Sequence, residues 1–459
     1  MKLDKLLNPR SVAVIGASRE PEKVGYGVLK NLVKGCYFLA PFCAPFKGKI
    51  YPVNPFAVNI LGLKCYKSIL EIDDEIDLAI IVVPANVVLQ VVKECVKKKV
   101  GAVIIISAGF SEAGEKGKRL EAEVLKVLKK AGIPLLGPNC LGVIKPTKGL
   151  NASFAPTMPP AGKVAFITQS GALADSVIDW AVQERYGFSA IVSVGNAAML
   201  DVSDFIEYFA NDEETKAITV YLENVKDGRR FIECCKEAVK KKPVIVLKAG
   251  RSKIGEKAAL SHTGRMVSSY DVYTTAFKQA GIEVVDSVEE LFDVAKANAM
   301  LSKCENAIAI VTNGGGAGVL CADYCEEFGV NLVELKKSTI KKLEKSKVMH
   351  PAFSKRNPLD IIGDALPERY EVAINTLLEE DYIKGLIVIQ TLQTMTRSED
   401  DARIIIEARK RFPKKPIVCC FMGTYFTRRA IHLLEANNVP NYSDPRRAAR
   451  AMASLIKKS

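Results

Sequence analysis

Histidine and tryptophan are scarce in this chain of 459 residues, which holds three of the first and one of the second. Metal-ligand boxes are lacking too, so no tightly held metal is expected within it. No stretch of about 18 apolar residues runs free of charge, which excludes a membrane-spanning helix. The opening MKLDKLLNPRSVAVIGAS carries charges inside the only segment that could serve as an export signal, so the protein is expected to be cytoplasmic. The 12 cysteines include no CxxC pair matched by a second pair or by a histidine, and buried reduced thiols are the expectation. The lysine runs at 97–99 and 240–242 do not argue for a nucleic-acid groove. They fall where helices end before buried strands, and cations there complement the helix dipole.

What the chain has instead is length, apolar residues and positive charge. Hydrophobic residues make up 48%, and 65 basic against 52 acidic side chains leave a net charge of +13, which suits a polyanionic small molecule. Such a length exceeds one core, so two to four domains of about 100 to 200 residues are expected. Short apolar runs alternate with amphipathic helical stretches, the mark of parallel sheets covered on both faces. SVAVIG (11–16), KIYPV (49–53), DLAIIVV (77–83), GAVIIIS (101–107) and IPLLG (133–137) form one set, read as a Rossmann-like nucleotide-binding domain. KVAFIT (163–168), SAIVSVG (189–195), AITVYLE (217–223), PVIVLKAG (243–250) and IEVV (282–285) form a second. AIAIVT (307–312), NLVEL (331–335), GLIVIQT (385–391) and PIVCCFMG (416–423) form a third. Small and polar stretches at 155–162 and 302–306 are the joints, and the expected domains are 1–148, 149–301 and 302–459.

Doubly wound sheets bind ligands at the carboxyl ends of their strands. In the first set these ends are Gly16, Ala17 and Ser18; Val53, Asn54 and Pro55; Val83 and Pro84; Ser107, Ala108, Gly109 and Phe110; and Asn139 in GPNCLG. A dinucleotide site would want GxGxxG after the first strand and an acid closing the second. Neither is present, so nicotinamide is disfavoured and another phosphorylated adenosine ligand stays open. Two further loops run from strand through glycine into helix, one at Gln169, Ser170, Gly171 and Ala172, the other at Asn313 to Gly318 with Gly314, Gly315 and Gly316. Glycine there lets N–H groups at a helix start converge on an anion. Between them, KAALSHTG (257–264) carries His262, which spacing alone leaves either an ordinary loop residue or a phosphoryl carrier.

The segments VAVIGAS, IYPVNP, SAGFSEAGE, LLGPNCLGV, FITQSGAL, SVGN, YLENVKDGR, AALSHTG, TNGGGAGVL and NPLDIIGDA together resemble the alpha subunits of ADP-forming acetyl-CoA synthetases. These are NDP-forming acyl-CoA ligases similar to succinyl-CoA synthetase. The resemblance implies an N-terminal Rossmann-like CoA-binding domain, followed by two flavodoxin-like domains with doubly wound parallel sheets. It implies that the strand-end residues of the first set hold CoA. His262 would be transiently phosphorylated, with Glu223 as the carboxylate that orients its imidazole. Gln169, Ser170, Gly171 and Ala172, with Gly195 and Asn196, would hold phosphate or the acyl group, and Gly314, Gly315 and Gly316 would supply a second helix terminus. No ATP-grasp segment is legible, so ADP or ATP with Mg²⁺ is expected mainly on a separate beta subunit, in an α2β2 heterotetramer. Acetate is the default acid, with branched-chain, aryl or dicarboxylic acids as alternatives; a non-catalytic CoA-binding regulator and an acyltransferase using the CoA domain are the competing functions. The apolar segment 36–47 departs from the family's link between first helix and second strand, and His350 and His432 match no motif.

Overall fold

The structure is a computed structural model in which residues 3–257 and 270–457 are described. It divides into two compact units, 1–286 and 287–459. His262 lies in 258–269, outside the described residues.

Unit 1 opens with β1 (Ser11–Ile15), β2 (Lys49–Val53), a small hairpin of β3 (Asn59–Ile60) and β4 (Leu63–Lys64), then β5 (Leu78–Ile81), β6 (Ala102–Ile105) and β7 (Leu135–Leu136). The long strands make a parallel sheet in the order β2-β1-β5-β6-β7. Both faces are apolar, so the runs read as continuous rather than alternating. Val12, Val14, Leu78 and Ile80 share a core with Val28 and Leu32 of helix Val24–Lys34. Ala13, Ile15, Ala79 and Ile81 face the other way, with Val88 and Val92 of helix Ala85–Lys98 and Val124 and Leu128 of helix Glu115–Ala131.

A second sheet of unit 1 contains β8 (Gly142–Lys145), β9 (Leu150–Ser153), β10 (Ala161–Thr168), β11 (Phe188–Ser193), β12 (Ala217–Leu222), β13 (Val244–Lys248) and β14 (Glu283–Val285). Its order is β14-β13-β12-β10-β11-β8-β9. The strands β10 to β14 are parallel and follow the flavodoxin order, with the first strand between the second and third. The antiparallel pair β8–β9 extends this sheet and was not anticipated from the sequence. Its link is the turn Pro146–Lys148 closed by Gly149 at φ 62°, far too short for the crossover that parallel neighbours need.

Unit 2 holds β15 (Ile308–Thr312), β16 (Leu359–Asp360), β17 (Gly385–Gln390) and β18 (Ile417–Phe421), parallel in the order β16-β15-β17-β18. The strand expected at 331–335 is reduced to one bridge, Ile308 to Leu332. Asn357 explains why: its amide accepts from Ile310 N at 2.9 Å and donates to Ile308 O and Val333 O at 3.0 and 2.9 Å. A side chain inserted there takes the partners that a longer ladder would use.

The thiol expectation needs one correction. Cys36 and Cys43 form a disulfide, with Cα atoms 5.6 Å apart, that closes the apolar segment on itself. The other ten cysteines are free, and all but Cys234 are buried.

Candidate functional site

The carboxyl ends of the first sheet form a cradle built from close backbone approaches. Gly16 has φ 94°, and a Cβ on it would lie 2.6 Å from Val82 O. A Cβ on Gly25, in the first turn of helix Val24–Lys34, would lie 2.0 Å from Gly16 O. Ala17 is fully buried, while Asn54 Nδ2 donates to Ala17 O at 2.7 Å and ties the second strand's loop to the first. Ser107 Oγ donates to Val83 O at 2.6 Å, and Asn139 N donates to Ser107 O at 3.0 Å. Each strand end is thereby braced by the next.

Glu112, which the sequence reading passed over, organises the far side of this cradle. Its Oε1 accepts from Gly109 N at 2.6 Å and Phe110 N at 3.1 Å. Two amides that an anion could have used are already engaged, and the Phe110 ring is buried in the core. Burial alone would raise the Glu112 pKa, but the hydrogen bonds from Asn196 and these amides hold it below the usual carboxylate value. The signal in SAGFSEAGE was an acid three residues beyond the turn glycine, able to fold back on it.

Asn196 joins the two sheets of unit 1. Its Nδ2 reaches Glu112 Oε2 at 2.5 Å, Ser111 Oγ at 3.1 Å and Glu121 Oε2 at 3.1 Å. Its Oδ1 accepts from Asn139 Nδ2 at 3.2 Å. Gly195, at φ 54°, permits the contact, because a Cβ there would stand 2.4 Å from both Pro138 O and Asn139 O. The GPN and VGN turns therefore abut.

The same turn is built twice in the chain. Ser170 N donates to Thr168 Oγ1 at 2.9 Å, and Thr168 Oγ1 donates to Ser170 O at 3.0 Å. In unit 2, Gly314 N donates to Thr312 Oγ1 and Thr312 Oγ1 donates to Gly314 O, both at 3.0 Å. The residue inside each turn carries an amide that staples the exit of a neighbouring strand. Gln169 Oε1 accepts from Glu223 N at 2.6 Å and Asn224 N at 3.0 Å, while its Nε2 donates to Asn224 O at 2.9 Å. Asn313 Oδ1 accepts from Thr391 N at 2.7 Å, and its Nδ2 donates to Thr391 O and Gln393 Oε1, both at 2.8 Å. A helix follows each turn, Gly171–Glu184 or Gly315–Glu327, so each has the oriented N–H groups and dipole that favour an anion. Ser170 also caps the first of these helices by accepting from Leu173 N at 3.3 Å. Ala172 stands exposed in its first turn, and a Cβ on Gly171 would come within 3.5 Å of Leu141 Cβ. At the second helix start, Gly316 is open, whereas a Cβ on Gly315 would lie 2.8 Å from Asp360 Oδ2.

Unit 1 thus gathers Gln169, Ser170, Gly171 and Ala172 with Gly195, Asn196 and Asn139, and buries Glu223 to 7% exposure at the end of β12. Asp175, on the same helix, is a further acid; burial pushes its pKa up to about 6, and its Oδ1 has no hydrogen-bond partner. Among the described residues no group of three or more acids, histidines and cysteines could hold a metal, and no helix is long and apolar enough to cross a membrane.

Comparison with known proteins agrees with this layout. Residues 10–146 match the CoA binding domain, 161–298 the succinyl-CoA ligase like flavodoxin domain, and 308–455 the ligase-CoA domain. The ADP-forming acetate–CoA ligase I alpha subunit of Pyrococcus furiosus is 43% identical, covering 100% of this chain and 98% of its own. The ADP-forming acetate–CoA ligase I of Archaeoglobus fulgidus is also 43% identical over 99% of this chain, which spans only 63% of that relative's length. A solved structure of the dinucleotide-forming acetyl-coenzyme A synthetase 1 of Ca. Korarchaeum cryptofilum, in complex with phosphate and ADP, superposes with a TM-score of 0.91 at 37% identity, covering 99% of this chain and 96% of that one. With a near full-length match to a separate alpha subunit and all three domain types in the same order, this chain belongs to the family of ADP-forming acetate–CoA ligase alpha subunits.

Proposed function

We propose that the chain is the alpha subunit of an ADP-forming acyl-CoA synthetase, interconverting acetyl-CoA, ADP and phosphate with acetate, CoA and ATP. The observation that carries this reading is the single network joining a phosphate-type helix start at Ser170 to the buried Glu223 through the Gln169 amide. In the ADP-consuming direction, phosphate attacks the thioester carbonyl, the C–S bond breaks, and CoA leaves an acyl phosphate. The His262 imidazole next takes the phosphoryl group, releasing the carboxylate. Phosphohistidine finally delivers it to ADP. Glu223 accepts a hydrogen bond from one imidazole nitrogen and keeps the other free to attack, and the N–H groups at the start of helix Gly171–Glu184 offset negative charge on the transferring group.

CoA is assigned to the strand-end cradle of the first sheet, at Gly16 to Ser18, Val53 to Pro55, Val83, Pro84 and Ser107 to Ala108. The nucleotide and its Mg²⁺ are assigned to a separate ATP-grasp beta subunit in a cytoplasmic α2β2 assembly. The length by which the Archaeoglobus relative exceeds this chain supports a partner of that kind. Co-purification with the partner, followed by a panel of acetate, branched-chain, aryl and dicarboxylic acyl-CoA thioesters, tests the reading. CoA release should require phosphate, and its sustained turnover ADP as well, for at least one of them; release by none would leave a CoA-binding regulator instead.

The cradle makes its own prediction. Gly25→Ala should force the helix start away from the Gly16 peptide, costing about 1–3 kcal/mol, and should weaken CoA. Thermal melts with and without CoA check both effects. An unchanged CoA-induced stabilisation would remove this turn from the CoA site.

A further inference from the structure

The strand β13 is apolar until its last residue, Lys248, which is only 3% exposed. An ammonium so placed loses its hydration and has to find substitutes in the protein. Its Nζ donates to Glu223 O at 2.9 Å and to Ala249 O. It also stands over the Tyr273 ring, 4.7 Å from the centroid, where the ring quadrupole favours a cation. No carboxylate among the described residues is its direct partner, so this is not one half of a buried ion pair. An apolar side chain would fill the same space at less expense in desolvation. The charge therefore calls for a use.

Its position suggests one. Leu222 and Lys248 are partners in the parallel register, so the loops after β12 and β13 leave the sheet side by side, and Lys248 draws a carbonyl from each onto one cation. Glu223 is then held at both ends of its main chain, with its N–H on Gln169 Oε1 at 2.6 Å and its C=O on Lys248 Nζ. We infer that Lys248 is a positioning residue of the phosphoryl relay: its ammonium fixes the main chain that carries Glu223. The inference rests on the proposed role of Glu223 as the partner of His262.

The charged groups around it give a pH signature. Burial pulls the Lys248 ammonium down to about 8, against the opposing pull of the Glu223 and Glu256 charges. Tyr273 covers it from helix Tyr270–Gln279. Tyr221 lies two residues before Glu223, and burial together with the Glu223 charge raises its hydroxyl. The ammonium is present below this value and lost as pH rises through it, so relay competence should fall on the alkaline side.

The test uses the complex with its beta chain and follows transfer of radiolabelled phosphoryl from ATP to the alpha chain, in wild type and in the Lys248→Met, Lys248→Arg and His262→Asn variants, from about pH 6 to pH 10. Wild type should slow as pH passes about 8. Lys248→Met keeps the length and the packing on Tyr273 but not the charge, and should label roughly 10- to 100-fold more slowly, with KM for ATP unchanged and no alkaline fall. Lys248→Arg should retain most of the rate and also lose the alkaline fall, since guanidinium does not titrate there. Should the Met variant fail to fold, the pH profile of the Arg variant decides. Labelling of Lys248→Met at the wild-type rate, or a wild-type alkaline fall in Lys248→Arg, overturns the inference. Persistent labelling of His262→Asn would overturn the relay reading and this inference with it. Loss of label in His262→Asn beside wild-type behaviour of the Lys248 variants would overturn the inference alone.

Discussion

Glu223→Gln should lower phosphoryl transfer to the alpha chain by roughly 100- to 1000-fold with the fold left intact, and His262→Asn should abolish it. The separation of effects follows from how Glu223 is held. Its N–H goes to Gln169 and its C=O to Lys248, so the main chain keeps both anchors whatever the side chain. Glutamine preserves shape and hydrogen-bonding capacity but removes the negative charge. In the resting imidazole that change permits the wrong tautomer, because an amide presents a donor as readily as an acceptor. In the transferring state it leaves the positive charge on the ring without a counter-ion, in a site where burial makes that expensive. Labelling by ATP in the complex, read beside thermal melts of each variant, measures both halves of the expectation. A Gln variant that labels within a few-fold of wild type would remove Glu223 from the chemistry, and a variant with a depressed melting temperature would show that the carboxylate had been holding the fold.

Most strand positions were legible because parallel strands buried on both faces are continuous apolar runs, as at Ser11–Ile15 and Ile308–Thr312. The glycine turns were legible because Gly16 and Gly195 occupy positive φ, where other residues are strained. Side-chain amides that replace backbone partners were not. Asn357 stops a ladder, and Gln169 holds the Glu223 loop 54 positions away; nothing local in a sequence distinguishes such an amide from one open to ligand. Lys248 was hidden for a related reason, since a lysine ending a strand ordinarily reaches solvent. The Cys36–Cys43 pair lies inside a segment with no recognised pattern, where only the folded loop brings the two Cα atoms to 5.6 Å.

Unit 2 carries a second large expectation, a change in the pH dependence of stability on replacing Asp401. This residue is 1% exposed on helix Ser398–Arg411. Its Oδ2 accepts from Gln390 Nε2, while its Oδ1 has no hydrogen-bond partner. Ser398 Oγ holds the other end of the Gln390 amide at 2.7 Å, so the Gln390 nitrogen is directed at Asp401. Burial pushes the carboxyl up to about 7, Asp400 and Glu368 add to the rise, and the Gln390 bond only partly opposes it. The unfolded chain ionises near the ordinary value of 3.8. Between these values the folded state binds the extra proton, so the contribution of this group is fully present below 3.8 and is lost as pH rises through about 7. Above neutrality the loss amounts to about 4 kcal/mol, taking about 1.4 kcal/mol for each of roughly three units. Asn at 401 cannot ionise. It still accepts from Gln390, but it places an N–H₂ where Oδ1 lacks a partner, at about 1–3 kcal/mol. Asp401→Asn should therefore be less stable than wild type at about pH 4 and more stable at about pH 8.5, the two curves crossing between. Urea unfolding at the two pH values checks this, and the difference between the chains cancels the slope that Asp175 adds to both. A stability difference independent of pH would mean that the Asp401 carboxyl does not titrate in the folded unit, and its partnerless oxygen would then need another explanation.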